Sequence, residues 1–207
     1  MRPRRAAGRV FVISSPSGGG KTTVVERLRR AVPRLVRSIS LTTRAPRRGE
    51  RPGRDYRFTT PSVFQRLRGR GELLEWARVH GAQYGTPKRP VLDALARGRD
   101  VILNIDVQGA RKVRRALGRR AVLIFLMPPS MASLRQRLLR RRTETPAAIR
   151  RRLAVARREL RCAAWYDHRV VNDRLDRAVS DMRTIIVASR ITKGVDKLWR
   201  RSRSKSS

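Results

Sequence analysis

One cysteine in 207 residues, Cys162, leaves no partner for an internal disulfide. With neither a second thiol nor a histidine near it at ligand spacing, it forms no metal site and reads as an ordinary helix residue. Long hydrophobic runs are also missing. No apolar stretch reaches the roughly 18 residues that a membrane helix needs, and the start, MRPRRAAGRV, passes straight into a strand-like segment without a signal-type apolar region. A soluble cytoplasmic chain with no membrane partner is expected. Acids are scarce, 15 against 52 lysines and arginines, of which 46 are arginine, and the net charge is +37. Such a balance implies salt-sensitive, nonspecific affinity for nucleic acids and other polyanions. Aromatics make up only 5%. The arginines are spread along helical faces, for example within 111–120 and 150–161, rather than gathered in one arm with interleaved aromatics. That pattern favours a general arginine bias of solvated faces over a dedicated nucleic-acid module.

What is present is enough apolar material, 40% of the chain, for one compact domain with a real core. Val10-Phe11-Val12-Ile13 is a β-branched run, followed by a glycine loop and a helical stretch from Lys21 to about Arg30. The polar Gly/Pro/Arg-rich segment 37–61, with short strands expected around 38–41 and 55–58, opens an inserted lobe. A helix over 62–70, a strand over 72–79 and a helix over 87–97 come next. Val101-Ile102-Leu103-Asn104-Ile105-Asp106 resembles a buried parallel strand with polar residues at its carboxyl end. A helix over 108–117, a strand over 121–126, a helix from an N-cap at Ser130 through Leu139, an arginine-rich break over 140–146, one long helix over 147–165, a strand over 169–171 and a helix over 175–189 complete the pattern. Residues 200–207 read as a disordered tail. There is no internal repeat. Alternating strands and helices predict an α/β fold with a mostly parallel sheet covered by helices on both faces, and ligands at the carboxyl ends of the strands.

Ser15-Pro16-Ser17-Gly18-Gly19-Gly20-Lys21-Thr22 fits the phosphate-loop pattern GxxxxGK[ST], except that Ser15 stands where the first glycine would. Glycines let backbone N–H groups turn toward phosphate oxygens, and the next helix presents its positive end. Lys21 reaches the β- and γ-phosphates, and the Thr22 hydroxyl can ligate Mg²⁺. The bland alternative is a glycine-rich turn that happens to precede Lys-Thr. A strand before and a helix after argue against it.

The segment Ser38-Ile39-Ser40-Leu41-Thr42-Thr43-Arg44-Ala45-Pro46-Arg47-Arg48-Gly49-Glu50 resembles the signature of the guanylate kinase family, S-x-TTR-x-P-R-x-GE after a phosphate loop. Further matches stand in family order: Asp55-Tyr56, Leu74-Glu75-Trp76-Ala77, Tyr84-Gly85-Thr86, Ile105-Asp106 with Gln108-Gly109, Pro128-Pro129-Ser130, Arg141 with Thr143-Glu144-Thr145, and Val171-Asn172-Asp173. They span about residues 8–190. The resemblance implies a phosphate-loop kinase fold and Mg²⁺-dependent transfer of the γ-phosphoryl group of ATP to GMP. It also implies a division of the single domain 1–207. Residues 8–36 and 87–190 form the core, 37–86 an inserted GMP-binding lobe, 140–152 an arginine-rich lid and 191–207 a basic extension.

The family reading assigns the GMP phosphate to Arg44, Arg47, Tyr56 and Tyr84, which suit a dianion that needs bidentate cations and hydroxyl donors. Guanine presents N1–H and N2–H₂ donors beside an O6 acceptor, so its site calls for carboxylates and hydroxyls. Glu75 and Asp106 are the candidate carboxylates, Ser40 and Thr86 the candidate hydroxyls. Taken alone, Glu75 reads equally well as a surface ion pair. Arg137, Arg141 and Arg152 fall where the family has lid and transition-state arginines, although Arg140 or Arg142 could serve. Arg142 also replaces a glycine expected in the lid. Asn172 resembles a residue near the adenine of ATP, or else is an N-cap or turn residue. Asn104 stands where the family usually has the first acid of an Asp-x-Asp pair near the metal, so its standing as a metal-site residue is the main departure. Two alternatives follow: a related kinase of another phosphorylated acceptor, and a catalytically weakened relative acting as a polyanion-binding or interaction module.

Overall fold

The computed structural model describes residues 8–79, 81–140 and 145–203, with side chains through residue 191. Its centre is a five-stranded parallel sheet in the order β2-β7-β1-β8-β9, built from β1 (Val10–Ser14), β2 (Leu35–Arg37), β7 (Asp100–Asn104), β8 (Ala121–Met127) and β9 (His168–Val171). Strand side chains alternate between faces, and each face here builds its own core. Phe11, Ile13, Ile102, Val122, Ile124 and Leu126 pack with α1 (Lys21–Ala31) and α7 (Leu175–Arg203). Val10, Val12, Val101, Leu103, Leu123 and Phe125 pack with α3 (Lys88–Ala96), α4 (Val107–Leu117) and Tyr166. Continuous apolar strands are what a sheet buried on both faces requires.

A second, four-stranded sheet is inserted between β2 and α3, in the order β4-β3-β6-β5. It comprises β3 (Leu41–Thr42), β4 (Arg57–Phe58), β5 (Leu73–Val79) and β6 (Ala82–Pro87), covered by α2 (Pro61–Gly69). Phe64 of α2 is fully buried beneath it. A Cβ at Gly85 would stand 3.1 Å from the Phe64 ring and 3.0 Å from Leu73, so the bare backbone there admits the aromatic.

Several boundaries differ from the sequence expectation. β2 and β6 are unanticipated: the first is three residues long, and the second, Ala-Gln-Tyr-Gly-Thr-Pro, lacks an apolar alternation. The strand expected over 101–106 ends at Asn104. Asp106 turns out to be the N-cap of α4, accepting from the Gly109 N–H at 2.8 Å. The helix expected over 147–165 is α6 (Pro146–Arg161) followed by a 3-10 turn, Cys162–Trp165, that tucks Ala163 into the core. Thr145 caps α6, with Pro146 in its first turn. The final helix continues to Arg203, past the expected end at Ser189 and into the segment expected to be disordered. Ser130 caps α5 (Met131–Leu139) as expected. Among the described residues, no helix is long and apolar enough to cross a membrane.

Candidate active site

β1 ends at the sheet centre, and the chain there must turn sharply into α1. Gly18 and Gly20 both adopt φ of 90°, open to glycine but strained for other residues. The loop packs without slack. A Cβ at Gly19 would come within 2.5 Å of the Ser15 hydroxyl, and one at Gly20 within 2.5 Å of the Asn172 amide. Ser15, in the place of the first glycine, is buried and donates to the Pro16 carbonyl at 3.0 Å. The departure is therefore absorbed inside the loop. Lys21 Nζ donates to the Ser15 carbonyl at 2.6 Å and lies 3.3 Å from its hydroxyl, which places the ammonium across the mouth of the loop.

This loop is one wall of a cleft. Ser15, Ser17, Lys21 and Thr22 line it together with Asn104 at the end of β7, Asp106 at the N-cap of α4, Ser40 and Tyr56 from the inserted lobe, Glu75 of β5 and Tyr84 of β6. At the lobe wall, Arg44 is held in a fixed pose. Its guanidinium meets both Glu50 oxygens at 2.8 and 2.9 Å, donates to the Tyr84 hydroxyl at 3.2 Å, and lies 5.4 Å from the centre of the Tyr56 ring. Glu50 also accepts from the Arg47 N–H at 2.8 Å, closing the turn, while the Arg47 side chain stays exposed on that turn.

Glu75 is 4% exposed. Burial pushes its carboxyl up to about 7, with the Thr86 hydroxyl and Lys112 pulling it down and Asp106 pushing it up. Thr86 is fully buried and donates to Glu75 Oε1 at 2.6 Å, so in this arrangement its proton orients the carboxylate. Gly109 makes the remaining room, since a Cβ there would lie 2.5 Å from Glu75 Oε2. Burial raises the Asp106 carboxyl too, against the pull of the Gly109 N–H, Lys21 and Lys112. The two carboxylates thus stand in the same cleft, with Asp106 also within the field of Lys21.

Asn172 lies beneath the loop. Its amide donates to the Gly19 carbonyl at 2.8 Å, its own N–H to the Met127 carbonyl at 2.7 Å, and its carbonyl accepts from Arg137 at 2.9 Å. Its amide is spent on the loop backbone, a bracing position that neither sequence reading anticipated. Arg152 of α6 donates to the Ser17 hydroxyl at 3.0 Å, which brings a second arginine to the loop. Arg141 lies outside the described residues, as does Arg142.

Three residues of the site were missed by sequence reasoning. Glu50 was quoted in the signature but given no role. Glu159 of α6 lines the cleft, its carboxyl raised by burial and pulled back by Lys21 and the Ser17 N–H. As the sole acid of α6 it carried a weak signal. Lys112 of α4 was lost among the cations, although it is one of only 6 lysines.

For a metal, the cleft offers hard oxygens: the Thr22 hydroxyl, the Asn104 amide oxygen and the Asp106 and Glu159 carboxylates. No group of three or more His, Cys, Asp or Glu side chains among the described residues could hold a metal ion. That donor set suits Mg²⁺, which keeps waters and substrate phosphates as most of its ligands.

Comparison with known proteins gives one family along most of the chain. The family model for guanylate kinase matches residues 7–189. The chain is 47% identical to a guanylate kinase of Oleidesulfovibrio alaskensis, over 93% of this chain and 92% of that one. It is 48% identical to one from a Mycobacterium species, over 90% and 95%. The crystal structure of guanylate kinase from Anaplasma phagocytophilum superposes with a TM-score of 0.76 at 36% identity, covering 89% of this chain and 87% of that one.

Proposed function

The chain belongs to the guanylate kinase family and transfers a phosphoryl group from ATP to GMP; from that premise we propose which residues of the cleft carry the transfer. The observation that bears most weight is that one cleft holds the phosphate loop with Lys21 and Thr22 on one side and Glu75, Tyr56 and Tyr84 on the other.

Backbone N–H groups of the loop 15–20 cradle the ATP phosphates at the positive end of α1, and Lys21 balances the charge on the β- and γ-groups. Thr22 would hold Mg²⁺, with Asp106 and Asn104 as the nearby oxygen donors, and the ion would supply charge neutralisation across the phosphates. Arg44 and Tyr84, preset by Glu50, grip the GMP phosphate, with Tyr56 and the exposed Arg47 completing that wall. Glu75 accepts from the guanine N1–H and N2–H₂ groups with Thr86 behind it. Asp106 and Ser40 complete the base edge.

A GMP phosphate oxygen then attacks the γ-phosphorus in line. One P–O bond forms as the bond to the ADP oxygen breaks, and charge spreads onto the equatorial oxygens. Arg137 and Arg152, already at the loop, follow that charge, and Arg141 is assigned to the same task on its family register. The acceptor phosphate is largely dianionic at neutral pH, so no general base is called for. Closure of the lobe 37–86 and the lid 140–152 over the core excludes water that would otherwise hydrolyse ATP.

The test is ADP formation from ATP and Mg²⁺ with GMP, AMP, CMP, UMP or no acceptor, at moderate salt. Turnover with GMP alone is expected. Preference for another acceptor, or GMP binding without turnover, would overturn this assignment, the second outcome in favour of a weakened relative.

A further inference from the structure

Lys112, on the side of α4 that meets the inserted lobe, makes contacts that the transfer chemistry above leaves unused. Its Nζ donates to the Trp76 carbonyl at 2.5 Å and stands 3.8 Å from the centre of the Trp76 ring. Arg68 of α2 lies 3.8 Å from the same ring centre. Two cations that close to one ring repel each other strongly unless they take opposite faces, so the indole is sandwiched between a core helix and a lobe helix. Such cation–π contacts add to the hydrogen bond in fixing the ring. Trp76 follows Glu75 directly in β5. The grip on Trp76 therefore sets where the Glu75 side chain emerges.

We propose that Lys112 is a specificity-positioning residue, which ties the Glu75–Trp76 segment of the lobe to α4 and so fixes the carboxylate that meets the guanine donors, its ammonium favouring the ionised form. This rests on the reading of Glu75 as the guanine-binding carboxylate.

The charges around Glu75 make the role decisive. From β6, Thr86 donates to it. From the N-terminus of α4, Asp106 adds a like charge and Gly109 supplies only space. From α2, Arg68 acts on the far face of Trp76. The Lys112 ammonium favours the ionised form of Glu75, against burial and Asp106. Lys21, which lines the cleft, acts on Asp106, as does Lys112. Loss of the ammonium moves Glu75 further toward the neutral acid. A protonated carboxyl presents a donor to the N1–H and N2–H₂ groups, so guanine is then bound less well.

The experiment measures GMP KM against pH, from about 6 to about 9, at saturating ATP. It uses the full chain and K112M, K112Q, K112R and E75Q. The GMP phosphate also titrates near 6, but identically for every variant, so differences from the parent are read. In K112M and K112Q the inflection of GMP KM is expected to move up by about 0.5 to 1 pH unit. Near neutral pH their KM rises roughly two- to fivefold; at the alkaline end K112Q recovers, whereas K112M, which also loses the donor to the Trp76 carbonyl, stays raised, with ATP KM and kcat little changed in both. K112R keeps the parent profile. K112Q retains a donor for the Trp76 carbonyl, so it carries the test if K112M fails to fold. An unshifted inflection in K112Q, or a K112M KM that returns to the parent value at alkaline pH, overturns the proposal. An E75Q enzyme with unaltered GMP KM would instead remove the reading of Glu75 on which it stands.

Discussion

Burying Glu75 works against its ionised form, and the conflict has a thermodynamic signature. Its carboxyl sits at about 7 in the fold against 4.5 in a solvated chain. The folded state therefore holds a proton that the unfolded state has released. The group's stabilising contribution is complete below about 4.5 and is lost as pH rises through about 7. Above that, carrying the buried anion costs on the order of 3 kcal/mol. Glu75→Gln removes the titration and still accepts from Thr86. We expect its melting temperature without substrates to exceed the parent's by several degrees near pH 8, with the gap closing near pH 5. Parallel melting curves across pH would contradict this. A second residue-scale expectation concerns Asn104, which lines the cleft between the phosphate loop and Asp106. If Mg²⁺ binds at Thr22 as proposed, Asn104→Asp adds a charge near it and should raise kcat, by up to about tenfold, with little change in GMP KM. An unchanged or lower kcat would mean that the amide is already fitted to its place.

At the scale of elements, the core sheet is fastened at its amino end by Asp100. That side chain is buried, accepting from the Arg9 N–H at 2.7 Å and from Arg190 of α7 at 2.7 Å. Arg190 also donates to the Pro33 carbonyl at 2.8 Å, so one guanidinium joins the last helix to the β1, β2 and β7 edges. Removing one partner of a mostly buried pair leaves an uncompensated charge, typically worth about 3 kcal/mol. Arg190→Met should thus lower the melting temperature by roughly 5–10 °C while leaving both substrate KM values near the parent's. A melt within a degree of the parent would show that the ion pair is effectively solvated. The same logic gives the helix ends their order: Thr60, Asp106, Ser130 and Thr145 each accept from an N–H three residues on. Asp106 is doubly committed, capping α4 and facing the cleft.

For the whole molecule, the charge of +37 is spread over both helical layers, and its acids are drawn into specific pairs such as Glu50 with Arg44 and Asp100 with Arg190. A polyanion should therefore bind with little sequence preference and with log affinity falling linearly in log salt. Fluorescence anisotropy with unrelated duplexes checks this. A marked preference among sequences, or affinity insensitive to salt, would point to a built nucleic-acid site.

The sequence by itself determined the local rules. Val10-Phe11-Val12-Ile13 before three glycines and Lys21-Thr22 is strand, loop and helix wherever it is placed, because β-branched runs, positive φ and capping are short-range. The order of the motifs then dictated the family and the activity. The tertiary structure alone decided what depends on approach between distant segments. β6, with no apolar alternation of its own, is a strand because β3 and β5 pair with it and Phe64 packs under Gly85. Asn172 supports the loop backbone, a contact across 153 residues that no periodicity encodes. Glu75 acquires its shifted acidity and Lys112 its purpose only when α4 meets β5, since burial and charge proximity belong to the folded arrangement rather than to either segment.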